Sequence, residues 1–139
     1  MNRKIYIASG LANYKRVLDL RDKLLKYGIE LTFDWAEVFK KNTEHTIDTG
    51  ESIKEDLVAI AAAEYKAVVD CELLLFVSPG GRGTHFELGV AYSNKKPIII
   101  FYDDDYEPLA FHLLPGIERV HFEDKAIQRI LSIMKIDTV

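Results

Sequence analysis

Two segments of this chain carry almost no polar side chain: residues 72–78 (ELLLFVS) and 97–102 (PIIIFY). A strand with one wet face alternates polar and apolar residues, whereas a continuous apolar run of this length fits a strand buried on both faces. Such strands sit in parallel sheets, and parallel neighbours need a crossover of a dozen residues or more, usually a helix. The rest of the chain supplies those crossovers. Residues 4–9 (KIYIAS) and 29–34 (IELTFD) read as the first two strands, and 118–122 as a short fifth. Residues 13–27 place Tyr14, Val17, Leu18, Leu20, Leu24 and Leu25 at helical spacing, and Gly28 stops the helix. Residues 51–70, 84–93 and 123–134 read as three further helices, and 109–114 as one helical turn. Residues 35–50 mix helix formers with Asn42-Thr43 and Asp48-Thr49-Gly50, so a long loop folding over a site is expected there.

The expected fold is therefore α/β: a doubly wound, five-stranded parallel sheet of flavodoxin-like or Rossmann-like order with helices on both faces. Its 139 residues suit a single domain, 1–139, with no internal repeat or linker. The net charge of −4 comes without a basic stripe, which argues against a nucleic-acid polymer as partner. No apolar run approaches the roughly 18 residues of a membrane span. Met1-Asn2-Arg3-Lys4 leads into a strand and not into a signal peptide. The lone cysteine, Cys71, reads as a buried strand-entry residue and fits a reducing, cytoplasmic setting. His45, His85, His112 and His121 lack metal-ligand spacing and read as ordinary; no metal and no cofactor is expected. Asp103 to Asp105 read as a solvated loop.

Open α/β sheets bind ligands beyond the carboxyl ends of their strands, at the switch point in strand order. That directs attention to Ser9, Gly10 and the nearby Asn13, to Asp34 and Trp35, and to the turn Pro79-Gly80-Gly81-Arg82-Gly83 before Thr84. A glycine-rich turn ahead of a helix N-terminus attracts phosphate or carboxylate. This turn is neither a P-loop nor a dinucleotide fingerprint. Trp35 is placed either to stack a base or to sit at a rim or interface.

Two acids stand out. On a helix counted from Glu51, residues Ile53, Leu57, Ile60, Ala61 and Val68 form one stripe with Glu64 in its middle. A carboxylate facing the sheet must be paired, protonated or set at a polar cleft. Glu64 is then either a structural salt-bridge partner or a pKa-shifted functional group. Glu87 closes Thr84-His85-Phe86-Glu87, which fits a capping box with Thr84 as the cap. Against that reading, the preceding loop is glycine-rich. Gly89, costly inside a helix, suggests tight packing beside Glu87.

At Ile5-Tyr6-Ile7-Ala8-Ser9, at Glu64 and at Gly83-Thr84-His85-Phe86-Glu87-Leu88-Gly89-Val90-Ala91, followed by Lys96-Pro97-Ile98-Ile99, the sequence resembles the nucleoside 2-deoxyribosyltransferase family. The resemblance runs from the first strand to about Pro108. It implies that Glu87 is the nucleophile attacking the anomeric carbon of a sugar, that Tyr6 orients it, and that Glu64 assists at base or sugar. It implies a nucleoside or nucleotide as substrate and a homo-oligomer, a dimer or tetramer. Two positions depart from the pattern. Gly81 stands where the family often has a base-protonating aspartate, and Ala110 where it often supplies an asparagine to a neighbouring subunit. Nucleotide N-hydrolases of the same superfamily also lack that aspartate and favour 5′-phosphates, which Arg82 and the glycine turn suit.

The expected chemistry is N-glycosyl transfer or hydrolysis through a glycosyl-glutamate. Whether water enters decides between hydrolase and transferase. NAD cleavage is a variant of the same chemistry. A non-catalytic nucleotide sensor or sponge, and a structural domain in which Glu87 only caps a helix, are the rivals from other classes.

Overall fold

The computed structural model describes residues 3–49 and 57–137, and for 45–49 the backbone alone. Ile53 and the start of the predicted 51–70 helix lie outside the described residues. Five strands, β1 (Lys4–Ser9), β2 (Glu30–Leu31), β3 (Leu74–Val77), β4 (Ile98–Phe101) and β5 (Ile117–Val120), form one parallel sheet in the order β2-β1-β3-β4-β5. The central strands are buried throughout, as their continuous apolar runs require. The helices are α1 (Tyr14–Leu25), α2 (Trp35–Thr49), α3 (Leu57–Asp70), α4 (Arg82–Ser93) and α5 (Glu123–Ile133). A 3₁₀ turn at Ala110–Leu113 fills the β4–β5 connection.

The order reverses direction at β1. Right-handed crossovers running one way lie on one face of a sheet, and those running the other way lie on the opposite face. Hence α1 covers one face, joined there by α5 through a 2.7 Å Lys23–Glu123 ion pair. Helices α3 and α4 pack together on the other face. Gly28 takes φ +77°, the left-handed conformation that ends α1 without a Cβ penalty.

Three local expectations need correcting. Residues 35–49 are not a loop but the helix α2, capped by Asp34, whose Oδ1 accepts the Glu37 N–H at 3.2 Å. The second strand is two residues long, Glu30–Leu31, and Asp34 belongs to the helix cap instead. The apolar stripe on α3 is inward only at its C-terminal end: Ala67 and Val68 are buried, but Leu57 is 69% exposed and Ala61 is also exposed. Strand geometry explains this. Fourteen helical residues span about 21 Å, whereas a four-residue strand spans about 13 Å. The first turns of α3 therefore project past the carboxyl rim of the sheet.

Candidate functional site

The projecting half of α3 and the first turns of α4 flank the switch point between β1 and β3. Here Ser9 Oγ donates to the Val77 carbonyl at 2.7 Å, and Gly10 N donates to the Pro79 carbonyl at 3.1 Å. A Cβ on Gly10 would come within 3.1 Å of that same carbonyl oxygen, so glycine permits the approach. Asn13 stitches the two loops from behind, donating to Ser9 Oγ at 2.9 Å and to the Pro79 carbonyl at 3.3 Å. In front lies a cleft of about 400 Å³ lined by Tyr6, Ser9, Gly10, Leu11, Trp35, Glu64, Gly81, Arg82, Gly83, Thr84 and Glu87.

Glu87 points inward from α4 and is 7% exposed. The capping box expected for it does not form. Helix α4 begins two residues earlier than Thr84, with Gly81 as its extended N-cap, and the Gly81 N–H donates to Thr84 Oγ1 at 3.0 Å. Thr84 thus serves the helix end, and Glu87 lies one turn deeper, beyond reach of the N-cap. Its partner is Tyr6, whose buried hydroxyl donates to Glu87 Oε2. Gly89 does not pack tightly beside Glu87 either, since a Cβ there would meet nothing within 4 Å.

The electrostatics follow from this burial. Desolvation pushes the Glu87 carboxyl up, the Tyr6 bond pulls it partly back, and the neighbouring charge of Glu64 raises it again, to about 8. The Tyr6 phenol is driven far above its ordinary value, by burial first and by Glu87 second. It stays protonated and remains a donor. Glu64 comes from α3 to within hydrogen-bonding reach of Glu87. The two acids therefore share one cleft, but they touch, with no sugar-sized gap between their carboxyls. Two carboxyls in contact do not both ionise readily, so near neutral pH such a pair holds a proton.

The remaining candidates divide. Trp35 lines the cleft and is largely buried. It is 8% exposed, and its Nε1 donates to the Ile7 carbonyl at 2.7 Å. Asp34 is not at the cleft: besides capping α2 it pairs with Arg21 at 2.8 Å. Pro79 and Asn13 support the lining without forming it. Gly81 and Gly83 have open space where a Cβ would stand, leaving their backbone accessible. The first turn of α4 contains Arg82 and no acid. A cation at the positive end of a helix is disfavoured by the helix dipole, and the balance reverses when an anion sits between them. Leu11, an exposed apolar lining residue, carries no signal in the sequence. Nor does the partnership of His85 and His112, 27 positions apart, whose ring nitrogens meet at 3.0 Å. Only the fold brings those two together.

Among the described residues no cluster of three or more potential metal ligands occurs, and no described helix is long and apolar enough to cross a membrane. A sequence profile of nucleoside 2-deoxyribosyltransferases matches residues 5–127. No curated protein sequence matches the chain. Among solved structures, the CMP N-glycosidase BcmB of Clostridium botulinum superposes with a TM-score of 0.61, covering 91% of this chain and 97% of that one at 18% identity. That likeness is one of fold.

Proposed function

The chain belongs to the nucleoside 2-deoxyribosyltransferase family, and from that premise we propose that it cleaves the N-glycosidic bond of a nucleoside 5′-monophosphate, with Glu87 as nucleophile. The observation that carries this reading is the meeting of two acids from separate helices in one cleft, one of them bonded by a buried tyrosine.

The Tyr6 hydroxyl donates to Glu87, which favours leaving the negative charge on Glu87 and the shared proton on Glu64. As the C1′–N bond lengthens, its electron pair goes to the base, and Glu64 gives its proton to the base. Glu87 closes on C1′ and forms the C1′–O bond of a glycosyl ester, trapping an oxocarbenium-like centre. Water then attacks C1′ and loses a proton to Glu64, and the ester oxygen returns to Glu87 as carboxylate. A second base in place of water makes the reaction a transfer. Gly81, standing where an aspartate is common in the family, leaves Glu64 as the acid of the cleft that serves the base.

We place the phosphate at the Gly81–Thr84 backbone and Arg82, where the free end of α4 and a cation with no ion-pair partner among the described residues favour a dianion. A phosphorylated substrate is consistent with the superposed protein's being a CMP N-glycosidase. Leu57, Val58 and Tyr65 on α3 and Phe86 on α4 expose apolar surface on two packed helices. Together with the family premise they support a homo-oligomer, and Val58→Asp is expected to shift the mass seen by light scattering toward the monomer.

The test is a panel of nucleosides, their 5′-monophosphates and NAD, read by chromatography for free base. Release from a monophosphate that disappears in Glu87→Ala, with the fold intact, supports the assignment. Tight binding without any release selects a sensor instead, and release by Glu87→Gln at the wild-type rate refutes the nucleophile.

A further inference from the structure

His85 and His112 form a hydrogen-bonded chain with one internally consistent proton arrangement. His85 Nδ1 lies 2.7 Å from the Gly81 carbonyl oxygen, which is only an acceptor, so Nδ1 carries hydrogen. At the other end, the Leu109 N–H donates to His112 Nδ1 at 3.3 Å, and the Tyr106 hydroxyl meets the same nitrogen at 2.8 Å. His112 Nδ1 is therefore the acceptor, and the proton of this imidazole sits on Nε2. The two Nε2 atoms stand 3.0 Å apart, and this assignment makes one a donor and the other an acceptor. The Leu109 and Tyr106 donors share the single lone pair of His112 Nδ1.

The surroundings hold His112 in its neutral state. His112 is 4% exposed, and burial, His85 and Arg119 of β5 all push it below its ordinary value. Tyr106 and His112 stack at 5.7 Å, His112 and His85 at 5.2 Å, and Phe76 of β3 meets both imidazoles edge-on. The Phe76 ring also backs the glycine turn: a Cβ on Gly80 would fall 2.6 Å from its Cζ. The chain ends on Gly81, the N-cap of α4, whose backbone lines the cleft. The groups facing the pair are thus Tyr106 and Leu109 from the β4–β5 connection, Arg119 from β5, Phe76 from β3 and Gly81 from the turn.

We propose that His112, acting through His85, is a positioning residue for substrate phosphate: it fixes the Gly81 carbonyl from outside the cleft and so aims the adjoining amides at the anion. Neither imidazole is among the residues that line the cleft, so the effect is indirect. The proposal deepens the nucleotide reading given above and rests on it.

The experiment compares wild type with His112→Phe, which keeps a stacked ring but breaks the chain, with His112→Gln, which restores a donor and an acceptor, and with His85→Phe, which breaks the chain from α4. Calorimetry with CMP and with cytidine is the readout. Expected is about a tenfold loss of CMP affinity in both Phe variants, the effect of roughly one hydrogen bond. Cytidine affinity is expected to hold, and His112→Gln to regain most of the CMP loss. Unchanged CMP affinity, or equal losses for both ligands, overturns the positioning role. Imidazole nitrogen spectra provide an independent readout, and His112 carrying its proton on Nδ1 overturns the chain. If wild type binds neither ligand, the nucleotide reading fails. The pair is then judged by the amide signals of residues 81–84: movement in both Phe variants supports it, and no movement overturns it.

Discussion

Glu87→Gln tests the chemistry and the physics of the cleft in one protein. In the native cleft Glu87 and Glu64 hold one proton between them up to about pH 8, while in the unfolded chain Glu87 ionises near its ordinary value of 4.5. Between those values the native state binds more protons than the unfolded state, so stability falls as pH rises. Each pH unit of separation is worth about 1.4 kcal/mol, which makes the cost of losing the shared proton several kcal/mol above pH 8. Glutamine keeps an acceptor for the Tyr6 hydroxyl and cannot ionise. The variant is therefore expected to match wild type below about pH 4.5, to grow more stable than it through the neutral range, and to hold a constant advantage above about pH 8. Urea unfolding at pH 5, 7 and 9 measures the difference, and the same samples are assayed for released base. A variant that parallels wild type at all three values, or is less stable at pH 9, refutes the claim that Glu87 is a buried acid held under strain beside Glu64. Loss of base release together with gained stability marks a group kept for function.

Tyr6→Phe removes the bond that draws Glu87 down; the acid limb of the rate profile is expected to move to higher pH, with turnover reduced about a hundredfold, and an unmoved limb would falsify the orienting role. Arg82→Ala is expected to narrow the preference for monophosphates over nucleosides without lowering the melting temperature, since it removes a cation from a helix N-terminus. Asp34→Ala is expected to cost about 1 kcal/mol of stability by uncapping α2, while base release stays at the wild-type level. Trp35→Phe strands the Ile7 carbonyl and is expected to destabilise by about 1–3 kcal/mol, read by urea titration.

The sheet was legible from sequence because burial on both faces leaves a mark in every residue of β3 and β4, and because the alternation of strands and helices leaves few topologies. The order β2-β1-β3-β4-β5 then locates the switch point, so Ser9, Gly10 and the 79–84 turn follow from the fold class. Local signals went wrong where a neighbour in space overruled them. Thr84 and Glu87 spell a capping box, but α4 starts at Arg82 and hands Glu87 to a tyrosine 81 residues away. Asp34 reads as the end of a strand at the binding rim, yet it caps α2 and pairs with Arg21. The contact between Glu64 and Glu87 and the pairing of His85 with His112 depend on how α3, α4 and the β4–β5 connection pack on one face. Sequence determines periodicity and burial because these are properties of neighbouring residues along the chain. Which acid is charged, and which nitrogen bears the proton, are set by groups distant in sequence whose distances exist only in the folded molecule.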